Sequence, residues 1–210
     1  MRLDVAGLPF ISGAALLAII AGVAGGWVFA IPFAVLGAFF VYFFRDPDRR
    51  PPAGASDDAV LSPADGRVLV AGRAAAETAP AGEWQQISIF LSPIDVHVNR
   101  IPVSGRVTRV DYKPGRFLPA YHRDAATANE RSEVWLDHGG QIVVARQVVG
   151  VLARRVVCRV AAGADVRAGD RFGIMKFGSR MDVFVPPDAT LMVTVGQMVR
   201  GGETVIAVLH

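Results

Sequence analysis

Hydrophobic and polar positions divide the chain into two unequal parts. Residues 5–44 contain no Asp, Glu, Lys, Arg or His. One bilayer crossing takes about 20 apolar residues, so this stretch suits two helices better than one. The step Gly25-Gly26-Trp27 predicts the break, because paired glycines loosen a helix and tryptophan suits a membrane–water interface. A hairpin bent there returns both ends to one side, where Arg45, Arg49 and Arg50 follow at once. The positive-inside rule makes that side cytoplasmic. Pro32 predicts a kink in the second helix. A shallow re-entrant pair and a buried core hairpin stand as alternatives. So does a secretory signal with its apolar core at 7–24, although the second apolar stretch follows it without a polar gap.

The pattern then changes. Pro47, Pro51, Pro52 and Gly54, followed by Ser56-Asp57-Asp58, mark a linker over 45–58. Beyond it, short Val- and Ile-rich runs predict strands at 67–70, 86–91, 103–112, 133–136, 141–149, 156–160, 181–185, 191–195 and 204–209. Asp65-Gly66 and Gly139-Gly140 are turn signals between them. The expectation is a mostly-β domain over 59–210, a β-sandwich or partly closed barrel, preceded by a hydrophobic helical hairpin over 1–44. The segment 113–131, with Pro114, Gly115, Pro119, Tyr121, His122 and Asn129, reads as a long loop with at most a helical turn. A loop of that length is often functional. The stretches around Val166 and Val199 echo each other (Val, Arg, a Gly, an acid, a return strand), as equivalent turns of a pseudo-symmetric β unit would.

Composition narrows the function classes. The chain has 210 residues, 52% hydrophobic and 20% charged, which is too apolar for disorder. A single cysteine, Cys158, excludes a disulfide framework and a Cys-rich zinc site. A net charge of +3 is far from the basic stripe of a nucleic-acid binder, so no nucleic-acid partner is expected. There is no P-loop, dinucleotide fingerprint or His-Glu-x-x-His, and no metal is expected.

Three polar segments remain. In Ser62-Pro63-Ala64-Asp65-Gly66, an Asp before a turn glycine serves either backbone geometry or chemistry. In Ser92-Pro93-Ile94-Asp95-Val96-His97-Val98-Asn99-Arg100, extended backbone would put Asp95, His97 and Asn99 on one face. His97 there is either an acid–base group or part of a polar strand face. In Met175-Lys176-Phe177-Gly178-Ser179-Arg180, a glycine offers an unhindered carbonyl, and the following serine can attack it if a base assists. A Gly-Ser pair alone carries no information in a chain with 22 glycines.

Together and in this order, these segments resemble the phosphatidylserine decarboxylase family, in particular its short, archaeal-type branch. The resemblance spans nearly the whole chain. It also includes Phe43-Phe44-Arg45-Asp46-Pro47 and Asn129-Glu130-Arg131. The resemblance implies a self-processing enzyme. Ser179 Oγ attacks the Gly178 carbonyl, the amide becomes an ester, and elimination followed by hydrolysis leaves a pyruvoyl group at 179. The implied products are chains 1–178 and 179–210, held as a heterodimer, with a higher oligomer left open. The pyruvoyl ketone, derived from Ser179, is the implied cofactor. It forms a Schiff base with the substrate and turns phosphatidylserine in the membrane into phosphatidylethanolamine and carbon dioxide. Ser179, His97 and Asp65 are the implied catalytic residues, with His97 as base and Asp65 orienting it or stabilising its charged form. The implied location is the cell membrane, with the catalytic domain on the cytoplasmic side. Arg45, Arg49 and Arg50 would each add about 1 kcal/mol of attraction to an anionic leaflet.

One departure bears on the site. The longer bacterial branch has a second histidine where this chain has Arg100, which cannot act as a base near neutral pH. His122 is the alternative acid–base group. Arg180 and Lys176 could meet a lipid phosphate or simply be solvated. A competing reading takes Gly173-Ile174-Met175-Lys176 as part of a biotin- or lipoyl-carrier domain modified at Lys176, linked to a membrane and without catalysis of its own.

Overall fold

The structure, a computed structural model, describes residues 2–119, 122, 124–151, 156–176 and 179–210. It divides into two compact units, Met1–Asp48 and Arg49–His210.

The first unit is a helical hairpin closed by a small strand clasp. Its elements are β1 (Arg2–Leu3), α1 (Leu8–Gly25), α2 (Trp27–Phe43) and β2 (Arg45–Asp46). The turn is Gly26, at φ 94°, a conformation that glycine adopts without steric cost. The break therefore falls where the Gly-Gly-Trp step predicted it. Phe10 near the start of α1 meets Phe40 near the end of α2 at 5.4 Å between ring centroids, so the helices run antiparallel. Gly37 faces Ala14, and Gly22 faces Ala30, so small residues let the two backbones approach. At the open end Arg2 pairs with Asp46 and Leu3 with Arg45. Pro32 lies inside α2. Leu16, Ile19, Val23, Phe29 and Val35 are exposed. The stretch Val5–Gly25 is long and apolar enough to cross a membrane, and α2 is a shorter apolar helix.

The second unit is almost entirely β. In chain order it contains β3 (Ala59–Leu61), β4 (Gly66–Arg73), β5 (Gln85–Leu91), β6 (Val98–Arg100), β7 (Gly105–Lys113), α3 (Ala125–Ala128), β8 (Arg131–His138), β9 (Gln141–Val149), β10 (Val156–Cys158), β11 (Asp165–Val166), β12 (Arg171–Met175), β13 (Ser179–Val185), β14 (Thr190–Leu191), β15 (Met198–Val199) and β16 (Val205–Val208). The main sheet has eight antiparallel strands in the order β11-β7-β8-β9-β13-β5-β4-β15. Two three-stranded sheets, β10-β12-β6 and β14-β16-β3, complete the layers. The sheets are open, so the sandwich expectation holds and barrel closure does not. One core joins them, with Ile87, Ile89, Met181 and Val183 from the large sheet against Val60, Ile101, Phe172, Met175 and Ile206.

The echo in the sequence is a pseudo-symmetric feature of the fold. β15 pairs with the start of β4, and β11 pairs with the start of β7. Both long strands open with Gly-Arg-Val. Gly66 and Gly105 have φ 149° and 151°, and a Cβ on either would lie 2.1 Å from a carbonyl oxygen of the neighbouring strand, Phe90 or Asp137. The Gln197 carbonyl accepts from Val68 N–H at 2.9 Å, as the Ala164 carbonyl does from Val107 N–H at 2.8 Å. Even the preceding polar residues correspond, since Asp65 accepts from Gly201 N–H at 2.7 Å and Ser104 Oγ from Ala168 N–H at 3.0 Å. Gly139 and Gly140, both at positive φ, make the tight β8–β9 hairpin that the sequence predicted.

Candidate active site

Ser179 is the first residue of β13, at the centre of the large sheet. It lies opposite Leu91 of β5 on one side and Val149 of β9 on the other. Strand alternation puts it on the same side as Met181 and Val183, which belong to the core. Ser179 is fully buried, and among the described residues its Oγ has no hydrogen-bond partner. An unmet buried hydroxyl costs roughly 1–3 kcal/mol, so this one stands out. Phe177, Gly178 and the 178–179 linkage expected to break lie outside the described residues.

His97 lies in the segment that joins β5 of the large sheet to β6 of the three-stranded sheet β10-β12-β6. β5 ends at Leu91, opposite Ser179, and the chain turns through 92–97 before β6. Asp95 makes that turn: its carboxylate accepts from Ser92 N–H at 2.8 Å, and its own N–H donates to the Ser92 carbonyl at 2.9 Å. The common face expected for Asp95, His97 and Asn99 is therefore not formed, because the Asp95 side chain is spent on the turn. Its backbone carbonyl instead lies 2.9 Å from His97 Nδ1. A carbonyl only accepts, so Nδ1 carries the proton and Nε2 is the basic nitrogen of the neutral ring. The His97 carbonyl accepts from Met175 N–H at 3.2 Å, which ties the histidine to the end of β12, four positions before Ser179. His97 is fully buried.

Asn99 of β6 and Gln147 of β9 form a buried polar pair between the two sheets. Gln147 is two residues before Val149 on β9, hence on the Ser179 side of the sheet. Its Nε2 donates to Asn99 Oδ1 at 2.8 Å and lies 3.4 Å from the Val157 carbonyl, which fixes the amide orientation. Gly173 makes the approach feasible, since a Cβ there would lie 2.8 Å from Gln147 Nε2. Asn99 Nδ2 and Gln147 Oε1 are buried without partners among the described residues. Ser179 Oγ, Asn99 Nδ2 and Gln147 Oε1 are thus three buried polar atoms without a hydrogen-bond partner among the described residues.

Asp65 stands at the turn before β4. Its Oδ1 accepts from Gly201 N–H at 2.7 Å and its Oδ2 from Arg49 Nη2 at 2.9 Å. Burial raises its carboxyl above the usual 3.8. The Gly201 bond and the Arg49 charge pull it down, and Asp95 and Glu203 push it up. Among the described residues the carboxylate thus meets a backbone donor and an arginine. Arg49 is not the leaflet-facing cation the sequence suggested. Its side chain is 11% exposed and it also meets Glu203 at 2.5 Å. Nothing in its proline-rich surroundings signalled this.

The segment 113–131 is largely irregular, as expected, with α3 as its helical turn. Tyr121 lies outside the described residues. Asn129, fully buried, organises the rest: Nδ2 donates to the Leu118 and Val149 carbonyls, both at 2.8 Å, and Oδ1 accepts from Leu118 N–H at 2.9 Å. The loop is thereby fastened to the strand position opposite Ser179. His122 is exposed and accepts from Asp124 N–H at 3.3 Å, an unpromising setting for a buried proton relay. Arg100, where the longer branch has histidine, is buried and donates to the Gly169 carbonyl at 3.0 Å, a bracing contact. Arg180 is mostly buried, at the floor of an open pocket lined also by Leu69, Arg73 and Gln86. It is 7% exposed, pairs with Asp182 at 2.6 Å and donates to Ser88 Oγ at 2.9 Å. Lys176 is half-buried after β12. Among the described residues no group of three His, Cys, Asp or Glu gathers as a metal site would.

Known proteins decide the family. A sequence model of phosphatidylserine decarboxylase matches residues 36–207. The chain belongs to the phosphatidylserine decarboxylase family. A phosphatidylserine decarboxylase proenzyme of Geotalea daltonii is 43% identical over 205 residues, covering 97% of this chain and 95% of that protein. A proenzyme of the same name from Salinibacter ruber is 46% identical over 188 residues, covering 86% and 82%. A third, from Nitrosomonas europaea, is 40% identical over 205 residues, covering 97% and 94%. Membership in a decarboxylase family displaces the carrier-domain reading of Lys176. It also gives the five ordered sequence marks a common origin.

Proposed function

We propose that the chain is a self-processing phosphatidylserine decarboxylase that cuts itself between Gly178 and Ser179 and works with a pyruvoyl group made from Ser179. The observation that carries this is the Ser179 hydroxyl, buried at the head of a central strand and without a hydrogen-bond partner among the described residues. A hydroxyl committed to a hydrogen bond would have to break it before attacking its neighbour's carbonyl.

The residues divide the work as follows. His97 Nε2 takes the Ser179 hydroxyl proton as Oγ adds to the Gly178 carbonyl carbon. The amide C–N bond breaks, nitrogen takes up the proton, and an ester joins 178 to 179. Loss of the α-proton of 179 expels the Gly178 carboxylate and leaves dehydroalanine. Water then releases ammonia and leaves the ketone. Leu91 and Val149, both fully buried, flank residue 179. They keep water from the ester, whose hydrolysis would give back a plain serine. Asp65, ionised, stabilises the positive charge that His97 acquires. When present, a pyruvoyl group supplies an electron sink for loss of carbon dioxide from an amine-bearing head group. Asn99 Nδ2 and Gln147 Oε1, buried and without partners among the described residues, are the candidates to meet such a head group.

The two pieces, 1–178 and 179–210, stay together as a heterodimer. β13 is hydrogen-bonded along its length to β5 and β9, and both of those strands belong to the larger piece. We assign 1–44 to the membrane, 45–58 to a linker and 59–210 to catalysis. α1, with 18 residues, extends about 27 Å, close to the apolar thickness of a bilayer. With Arg2 and Arg45 at the open end of the hairpin and Arg50 following in the sequence, the positive-inside rule puts the domain on the cytoplasmic side. A lipid substrate that stays in the bilayer gives the leader its purpose.

The test is release of labelled carbon dioxide from carboxyl-labelled phosphatidylserine in vesicles. The native chain should release it and Ser179→Ala should not. Equal release from both would end the proposal.

A further inference from the structure

We infer that Arg49 is a positioning residue for self-processing, reaching from the linker into the domain to hold Asp65 in place and to tie it to the piece that begins at Ser179. This rests on the role proposed above for Asp65.

The geometry is a fork between two carboxylates. Arg49 Nη2 meets Asp65 Oδ2 at 2.9 Å, and Nη1 meets Glu203 Oε2 at 2.5 Å. Asp65 lies before the cut and Glu203 after it. Gly201, also after the cut, holds the other Asp65 oxygen through its N–H at 2.7 Å. The carboxylate is thus gripped from two directions, by a linker cation and by the backbone of the future small chain. The arginine stem lies 3.5 Å from where a Cβ on Gly202 would sit, and Arg100 Cδ lies 2.8 Å from the same point. Any side chain at Gly202 would displace one arginine or the other.

The charges around Asp65 make the grip consequential. Of the charged groups that act on it among the described residues, Asp95 and Glu203 favour its protonated form and Arg49 favours its ionised form. Burial also favours protonation. Arg49 is therefore what opposes neutralisation from the side-chain side, and only the ionised form can stabilise a charged His97. A linker staple with no bearing on chemistry would lower the melting temperature when removed and leave the pH profile of cleavage alone.

The experiment uses the full-length chain made by brief cell-free synthesis in detergent, moved to a series of buffers, with cleavage followed on a denaturing gel. Arg49→Gln should shift the acid limb of the cleavage rate upward by about one pH unit, the usual effect of losing an adjacent opposite charge. Arg49→Lys should shift it less, since a lysine keeps the charge but lacks the fork. Melting of each variant in a Ser179→Ala chain reports folding separately. If Arg49→Gln does not fold, Arg49→Lys carries the test. An unmoved limb in a folded variant overturns the inference. If Asp65→Asn blocks cleavage while the Arg49 limb stays put, this inference alone fails. If Asp65→Asn cleaves like the native chain, the role of Asp65 itself fails.

Discussion

Asn129 Nδ2 donates to the Val149 carbonyl at 2.8 Å, and Val149 is the β9 residue directly opposite Ser179. One buried amide thereby fastens the long loop to the sheet position that flanks Ser179. It satisfies two carbonyls and one N–H, so Asn129→Ala removes three hydrogen bonds and leaves their partners unmet. We expect a loss of about 3 kcal/mol of stability, read as a denaturant midpoint in an uncleavable Ser179→Ala chain. Cleavage in the otherwise native chain should slow.

Gly66 and Gly72 compare strain with collision. Both sit near φ 150°, but a Cβ at Gly66 would lie 2.1 Å from the Phe90 carbonyl oxygen, and one at Gly72 would meet nothing within 4 Å. Gly66→Ala should therefore cost at least about 2 kcal/mol more than Gly72→Ala. Paired melting curves check this. By the pseudo-symmetry of the fold, Gly105→Ala should behave like Gly66→Ala.

Asp182 and Arg180 form a buried pair just beyond the proposed cut. Asp182→Ala leaves the guanidinium without its anion and should destabilise by about 3 kcal/mol or more. Asp182→Asn keeps an acceptor for Arg180 Nε and should cost less. Chemical denaturation of both variants against the parent measures the difference.

The Asp65 carboxyl, raised chiefly by burial, gives a pH prediction with a definite sign. Native self-cleavage should lose rate, as pH falls, at a pH above the usual 3.8 for a carboxyl. The folded chain binds this proton more tightly than the unfolded chain does. Ionising Asp65 therefore removes stability as pH rises from 3.8 through the raised value, and the full stability is present only below that window. Denaturation of Ser179→Ala across acidic pH, with and without Asp65→Asn, isolates the contribution.

Much of this architecture was legible in the residues. The helical hairpin followed from a charge-free stretch broken at Gly26, and β5, β9 and β13 from Val- and Ile-rich runs. β6 and β12 were fainter, readable only as a polar strand face around His97 and as the return strand after Asp170, because Asn99, Arg100 and Gly173 interrupt the apolar pattern that marks a strand. Two of those interruptions bring the small sheet against Gln147: Asn99 bonds it and Gly173 leaves it room. Ser179 and His97 were visible through their ordered motifs. Arg49 was not, because a single arginine among prolines reads as a solvated charge until the fold delivers Asp65 and Glu203 to it. Asp95 was misplaced for a related reason: strand alternation assumed extended backbone, while Ser92-Pro93 started a turn that consumed its carboxylate.

The central claim is tested most directly by intact mass under denaturing conditions. The account predicts two species, residues 1–178 and a 179–210 fragment blocked at its first position, and a single chain for Ser179→Ala. A native protein that remains one uncut polypeptide with an ordinary serine at 179, yet still decarboxylates phosphatidylserine, would contradict it.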